Sequence, residues 1–221
     1  MIKACIFDLD GTLADTLESM SSTMNKVIEP FGYEPLPTDN FRYYAGDGAK
    51  TLVERALKDA GDKELQHLDT VYKAYSEVFD KDCTYKVRVF DGMRDTLQKL
   101  KAQGLKLAVL SNKPHPQTIK VISNLFGEGL FDHVQGQQEG IEKKPDPSGA
   151  LAIAKAFGLA TDECMYIGDT NVDMKTGNRA GMYTIGVLWG FRTKEELLEN
   201  HAQALAEHPE DLLDLALYIA K

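Results

Sequence analysis

Short apolar runs closed by a turn or a polar residue recur along the chain: IKACIFDLD (2–10), LKLAVLSN (105–112), FDHVQG (131–136), CMYIGD (164–169) and YTIGVLWG (183–190). Each reads as a buried strand. Between them the apolar positions shift to helical spacing. DGMRDTLQKLKAQG (91–104) carries Met93, Leu97 and Leu100 and stops at Gly104; PSGALAIAKAFG (147–158) is Ala-rich and ends at Gly158. DMKTGNRAG (173–181) and TKEELLENHAQAL (193–205) follow as further helical stretches. Strands alternating with helices predict an α/β protein whose parallel sheet is covered on both faces.

The alternation breaks once. From about residue 16 to 84 the periodicity is helical throughout, as in LESMSSTMNKVIEPFG (17–32), GDGAKTLVERALKDAG (46–61) and ELQHLDTVYKAYSEVFDKD (64–82). The first strand is therefore expected to be followed by a helical insert, with the sheet resuming near Val87. A chain of 221 residues with 43% hydrophobic content suffices for one good-sized core, or a core with a smaller companion. The net charge of -9 argues against general affinity for nucleic acid or an anionic membrane. No apolar run approaches a membrane span, and MIKACIFDLD lacks the features of a secretory leader. Cys5, Cys83 and Cys164 are odd in number and widely spaced, which indicates neither a disulfide framework nor zinc; a cytoplasmic location is expected.

The polar residues at the strand ends change the picture. IFDLDGTLADT (6–16) puts Asp8, Asp10 and Asp15 within eight residues. Carboxylates this close repel one another and are costly to desolvate unless a cation sits among them. Strand residues two apart point the same way, so Asp8 and Asp10 can face one site, and Gly11 allows the chain to turn away sharply. Asp15 fits a helix N-cap ahead of TLESM. In an open parallel sheet, ligands bind beyond the carboxyl ends of the strands. There the sequence offers DLDGT, SNK (111–113), EKKPDP (142–147) and GDTNVD (168–173). Four aspartates, a hydroxyl, an amide and lysines meet the needs of phosphoryl transfer through an enzyme carboxylate. One carboxylate attacks phosphorus, another serves as acid and base, and lysine and hydroxyl hold the phosphoryl oxygens.

FDLDGTLADT, LSNK, KKPDP and GDTNVDMKTGNRAG, in this order, resemble the four motifs of the haloacid dehalogenase superfamily, and most of all its phosphoglycolate phosphatase-like branch. The resemblance implies a Rossmann-like catalytic core, residues 1–15 and 85–221, interrupted by an α-helical cap over 16–84. It makes Asp8 the nucleophile and Asp10 the general acid/base. Ser111, Asn112 and Gly11 become phosphate-binding residues, and Lys144 neutralises nucleophile and phosphate. Mg2+ is the implied cofactor, ligated by Asp8, Asp169 and the Asp10 carbonyl, with Asp173 in support. The implied partner is a small phosphorylated metabolite, handled by a monomer or weak homodimer.

Phosphoglycolate carries a carboxylate that needs a cationic contact, for which Lys50 and Arg42 in the insert are candidates. AGDGAKT (45–51) looks like a phosphate loop, but Ala49 and Tyr44 occupy the positions where glycines are required. Pyrophosphate, nucleotides and sugar phosphates stay open as substrates, as does phosphosugar mutation, although the related mutases carry a histidine where this chain has Met20. A dehalogenase would leave Asp10 without a task, and so would a phosphate sensor without turnover.

Overall fold

The computed structural model describes residues 1–218. The chain runs β1 (Ala4–Phe7), β2 (Ala14–Asp15), α1 (Leu17–Ile28), α2 (Phe41–Tyr44), α3 (Ala49–Asp59), α4 (Leu68–Asp82), β3 (Arg88–Val89), α5 (Met93–Ala102) and β4 (Lys106–Pro114). It continues α6 (His115–Phe126), β5 (His133–Gln137), α7 (Ser148–Phe157), β6 (Cys164–Gly168), α8 (Asn171–Arg179), β7 (Tyr183–Val187), α9 (Lys194–Glu199), β8 (Ala204–Ala206) and α10 (Asp211–Tyr218).

Six strands form one parallel sheet in the order β5-β4-β1-β6-β7-β8. From β1 the chain first moves outward to β4 and β5, then crosses back to build β6, β7 and β8 on the other side. The order reverses at β1, which makes its carboxyl end the expected ligand crevice. All four residues of β1 are buried, and their alternation divides the core. Ala4 and Ile6 pack with Ala150, Ile153 and Ala154 of α7, while Cys5 and Phe7 face the larger cluster containing α5 and α6 residues. An α/β protein with a parallel sheet covered on both faces is what the strand–helix alternation predicts, and a Rossmann-like core is what the motif resemblance implies.

The stretch between β2 and β3 is helical, and its apolar spacing explains why. α1 buries Leu17, Met20, Met24, Val27 and Ile28, and α4 buries Val71, Tyr75 and Phe79, each a stripe along one face. These stripes join Phe41, Leu52, Val53 and Leu57 in a cluster continuous with the sheet core.

Three expectations need correction, and one helix goes unanticipated. The main sheet does not resume near Val87: β3 pairs antiparallel with β2 in a separate two-stranded ribbon, Ala14 opposite Val89 and Asp15 opposite Arg88. This ribbon ties together the two chain crossings that flank the helices. Asp15 is not the helix cap itself, since Thr16 holds that place; its carboxylate accepts a long bond from the Leu17 amide and pairs with Arg88 at 3.0 Å. The helix expected over 193–205 stops at Glu199, and Ala204–Ala206 adds an edge strand beside β7. A helix over His115–Phe126 also lies outside the sequence reading. Its Pro116 falls in the first turn, where a missing N–H costs nothing.

Candidate active site

β1 ends at Phe7, and the Asp8 amide still bonds to the Ile167 carbonyl of β6 at 2.9 Å. Asp8 and Asp10 then both border one cavity, as their spacing predicts. Gly11 turns the chain with φ +86°, and a Cβ there would lie 2.3 Å from Asp169 Oδ2. Only glycine lets the loop pass so close to that carboxylate.

Asp8, Asp169 and Asp173 each bring a carboxylate oxygen within 4.8 Å of the others, all buried. Each is aimed by its neighbours. Asp169 accepts bonds from Thr12 Oγ1 and the Phe191 amide, both at 2.8 Å. Asp173, in the first turn of α8, accepts from Thr170 N at 3.1 Å and Thr170 Oγ1 at 2.6 Å. Gly168 and Gly190 leave room for these carboxylates, because a Cβ on either would stand 2.2 Å from the Cβ of Asp173 or Asp169 respectively. Lys144 Nζ reaches Asp8 Oδ1 at 2.9 Å and Asp173 Oδ1 at 2.8 Å with 3% of its side chain exposed.

Burial dominates the electrostatics. It pushes the Asp8 carboxyl up to about 7; Lys144 pulls against it, and Asp173 and Asp10 add to the rise. Asp169 is driven well above the carboxylate range by burial and then by Asp173 and Asp8. Burial works against the Lys144 ammonium, yet Asp173 and Asp8 together hold it well above the ordinary lysine value. With all three acids ionised, three negative charges face one ammonium, leaving a surplus of two. Buried, hard oxygen donors with that surplus suit a small dication such as Mg2+.

Ser111 and Asn112 arrive from the end of β4, both buried. Ser111 Oγ accepts from the Lys113 amide at 3.2 Å, which leaves its own hydrogen to donate into the cavity. Asn112 borders the cavity, and its side chain is bonded to main-chain groups. Its Nδ2 donates to the carbonyls of Gly46 and Lys144, and its Oδ1 accepts the Lys144 amide, all at 2.9 Å. The amide group is fully committed to positioning Lys144 and the 45–49 loop.

The inserted helices close the cavity from above with Met20, Leu52, Tyr75, Phe79 and the loop from Ala45 to Ala49. Lys50 and Arg42 do not reach it. Lys50 is 58% exposed and faces Asp69 at 3.5 Å, and Arg42 Nη1 donates to the Gly190 carbonyl at 3.0 Å. Arg42 instead belongs to a latch between insert and sheet. Arg192 donates to the carbonyls of Arg42 and Ala45, Asn112 to that of Gly46, and Lys143 to that of Asp47. Sequence reasoning misses Arg192, Gly190 and Trp189, whose indole donates to the Thr12 carbonyl, because nothing in their local spacing announces a site; Thr170, within the quoted GDTNVD, is passed over as well. Thr12 lies within the quoted DGT and was open to notice.

Residues 5–187 match the family of haloacid dehalogenase-like hydrolases. The chain is 33% identical over 190 residues to the phosphoglycolate phosphatase of Aquifex aeolicus, covering 86% of each protein. It is 29% identical over 197 residues to that of Psychrobacter arcticus, covering 87% of this chain and 86% of the relative. A crystal structure from Lactobacillus delbrueckii subsp. bulgaricus, of a protein provisionally described as a phosphoglycolate phosphatase, superposes with a TM-score of 0.90 at 29% identity, over 97% of this chain and 98% of that one. The family match takes in β1, β4, β6 and the lysine between them, the same elements that deliver the buried acids to one place, and so this chain belongs to the haloacid dehalogenase-like hydrolases.

Proposed function

We propose that the chain is a Mg2+-dependent phosphatase that hydrolyses a small phosphate monoester, phosphoglycolate before others, through an aspartyl-phosphate on Asp8. The observation that carries this reading is the position of Asp8: a buried carboxylate against Lys144, grouped with Asp169 and Asp173, with Asp10 two residues on at the same cavity.

Asp8 Oδ1 is occupied by Lys144 and by the Leu9 amide at 2.7 Å, so Oδ2 is the oxygen free to attack phosphorus. Lys144 offsets the charge of nucleophile and phosphoryl group, and the Ser111 hydroxyl donates to a phosphoryl oxygen. Asp10 protonates the departing ester oxygen, then takes a proton from the water that attacks the aspartyl-phosphate. Asp8, Asp169 and the Asp10 carbonyl would hold Mg2+, supported by Asp173, and the ion would supply charge neutralisation for an anionic nucleophile meeting an anionic phosphate. Asp173, with Lys144 on one oxygen and Thr170 on the other, keeps the lysine in line.

The cavity beneath the insert is partly open to solvent and measures about 40 Å3. We infer that residues 16–84 work as a cap that lifts to admit substrate and closes to exclude bulk water. The small, mostly apolar chamber under Met20, Leu52, Tyr75 and Phe79 favours a compact ester over a nucleotide or sugar phosphate. The names of the relatives from Aquifex aeolicus and Psychrobacter arcticus support phosphoglycolate. Among the described residues, no helix is long and apolar enough to cross a membrane.

The deciding experiment is a substrate panel of phosphoglycolate, p-nitrophenyl phosphate, glucose 6-phosphate, a nucleoside monophosphate and pyrophosphate, run with magnesium and with EDTA. Turnover highest on phosphoglycolate, falling roughly 100-fold or more in EDTA and returning with Mg2+, is the expected result. Undiminished turnover in EDTA, or preference for pyrophosphate or a nucleotide, would defeat the proposal. Asp10→Asn is expected to lower kcat by roughly 10² to 10⁴ through lost acid/base help. A kcat near the parent's would take that role from Asp10.

A further inference from the structure

With Lys50 and Arg42 turned elsewhere, the carboxylate of phosphoglycolate needs another partner, and the cavity wall holds one. Lys113 projects from β4 with 3% of its side chain exposed, and its Nζ lies 2.7 and 2.9 Å from the two oxygens of Asp10. The ring of Phe79, from helix α4, is 5.0 Å from the same nitrogen. Among the described residues bordering this cavity, Asp8, Asp10 and Lys113 are the charged ones, so Lys113 is its one cation. The remaining surface toward the insert is apolar or backbone apart from Tyr75, and none of it is cationic.

The position matters because of what Asp10 does. On the phosphatase reading above, on which this inference rests, Asp10 protonates the ester oxygen of the leaving group. In a phosphorylated 2-hydroxy acid, one carbon separates that oxygen from the carboxylate, so standard bond lengths put the carboxylate oxygens about 3 Å from it. An ammonium already in contact with Asp10 is therefore within reach of that carboxylate. An ester whose carboxylate sits one carbon further out would push its charge toward Met20, Leu52 and Tyr75, where no cation waits.

We propose that Lys113 is the specificity-determining residue for the leaving group, and that the site selects phosphate esters of 2-hydroxy acids by pairing Lys113 with their carboxylate. The competing account makes Lys113 a positioning residue for Asp10 and nothing more. The two accounts differ in which ligands notice its loss.

The test is calorimetric binding to Asp8→Asn protein in the presence of Mg2+, which reads affinity without turnover. Phosphoglycolate, ethyl phosphate (the same ester without the carboxylate) and 3-phosphooxypropionate (the phosphate ester of 3-hydroxypropionate) are compared before and after adding Lys113→Met. Phosphoglycolate is expected to weaken roughly 10- to 100-fold, the scale of a lost charge-assisted hydrogen bond, while ethyl phosphate moves by less than about threefold. Parallel weakening of both, or of neither, overturns the proposal. Should Lys113→Met fail to fold, the ligand series on Asp8→Asn alone still decides: phosphoglycolate should bind about tenfold or more tightly than 3-phosphooxypropionate, and equal affinities overturn the proposal. If no ester binds, the phosphatase reading falls and this inference with it. If the carboxylate discrimination is found but the parent enzyme hydrolyses no monoester, the phosphatase reading alone fails.

Discussion

Asp8→Asn is expected to cut phosphatase turnover by about 10⁴-fold or more, the scale seen when a nucleophile is removed from an enzyme that depends on it. Its amide cannot form the acyl-phosphate bond. The variant should nevertheless fold, and stability measurements give an independent check with a defined sign. The Asp8 carboxyl is raised from 3.8 to about 7 in the folded chain, so between those values the folded protein holds a proton that the unfolded chain releases. Stability contributed by this group is therefore lost as pH rises through that window. Asparagine carries no such slope. In EDTA, the Tm of Asp8→Asn relative to the parent should climb from pH 4 to pH 8. Turnover within tenfold of the parent on p-nitrophenyl phosphate would strip Asp8 of the nucleophile's role. A Tm difference flat across that range would contradict the buried, charge-crowded setting.

Lys144→Met should be the more damaging change to the fold. Its ammonium lies between Asp8 and Asp173, and nothing else cationic touches either carboxylate among the described residues. Breaking a buried pair from one side leaves unmatched charge, a loss of about 3–5 kcal/mol. Magnesium supplies an alternative counter-charge to the same acids, so the expected signature is a Tm depressed strongly in EDTA and partly restored by Mg2+. Activity should stay at least roughly 10²-fold down even with saturating metal, because the phosphoryl oxygens lose a fixed positive partner. Parent-like melting in EDTA would mean that the lysine neutralises nothing. A lysine retained only for packing would show no magnesium dependence in its replacement.

How much of this was legible in the sequence depended on range. The strands around Ile6, Val109, Tyr166 and Ile185 announce themselves because they are buried on both faces, which concentrates apolar residues into short runs. Asp8, Asp10 and Asp169 were readable because a strand's end fixes where its next residues point. The edge strand at Ala204–Ala206 was not, since its burial is partial and its three residues favour a helix as readily. Lys50 and Arg42 qualify by charge alone, and which way a helix or loop turns its side chains is settled by packing against a distant segment. Lys113 left the opposite ambiguity: its neighbours mark a strand-to-loop turn, and only folding brings Asp10, 103 residues away, against its ammonium. Asn112 belonged to the same motif, yet its contacts with Gly46 and Lys144 show it acting as a brace.

The latch over the cleft grips oxygens of the main chain, those of Arg42, Ala45, Gly46 and Asp47, and every chain has such oxygens whatever its side chains are. Substitutions in that stretch can therefore accumulate without unfastening it, provided Arg192, Asn112 and Lys143 persist on the opposite shore. Descendants of such a protein could exchange one metabolite for another by redecorating the ceiling, while inheriting the same fastening and the same floor.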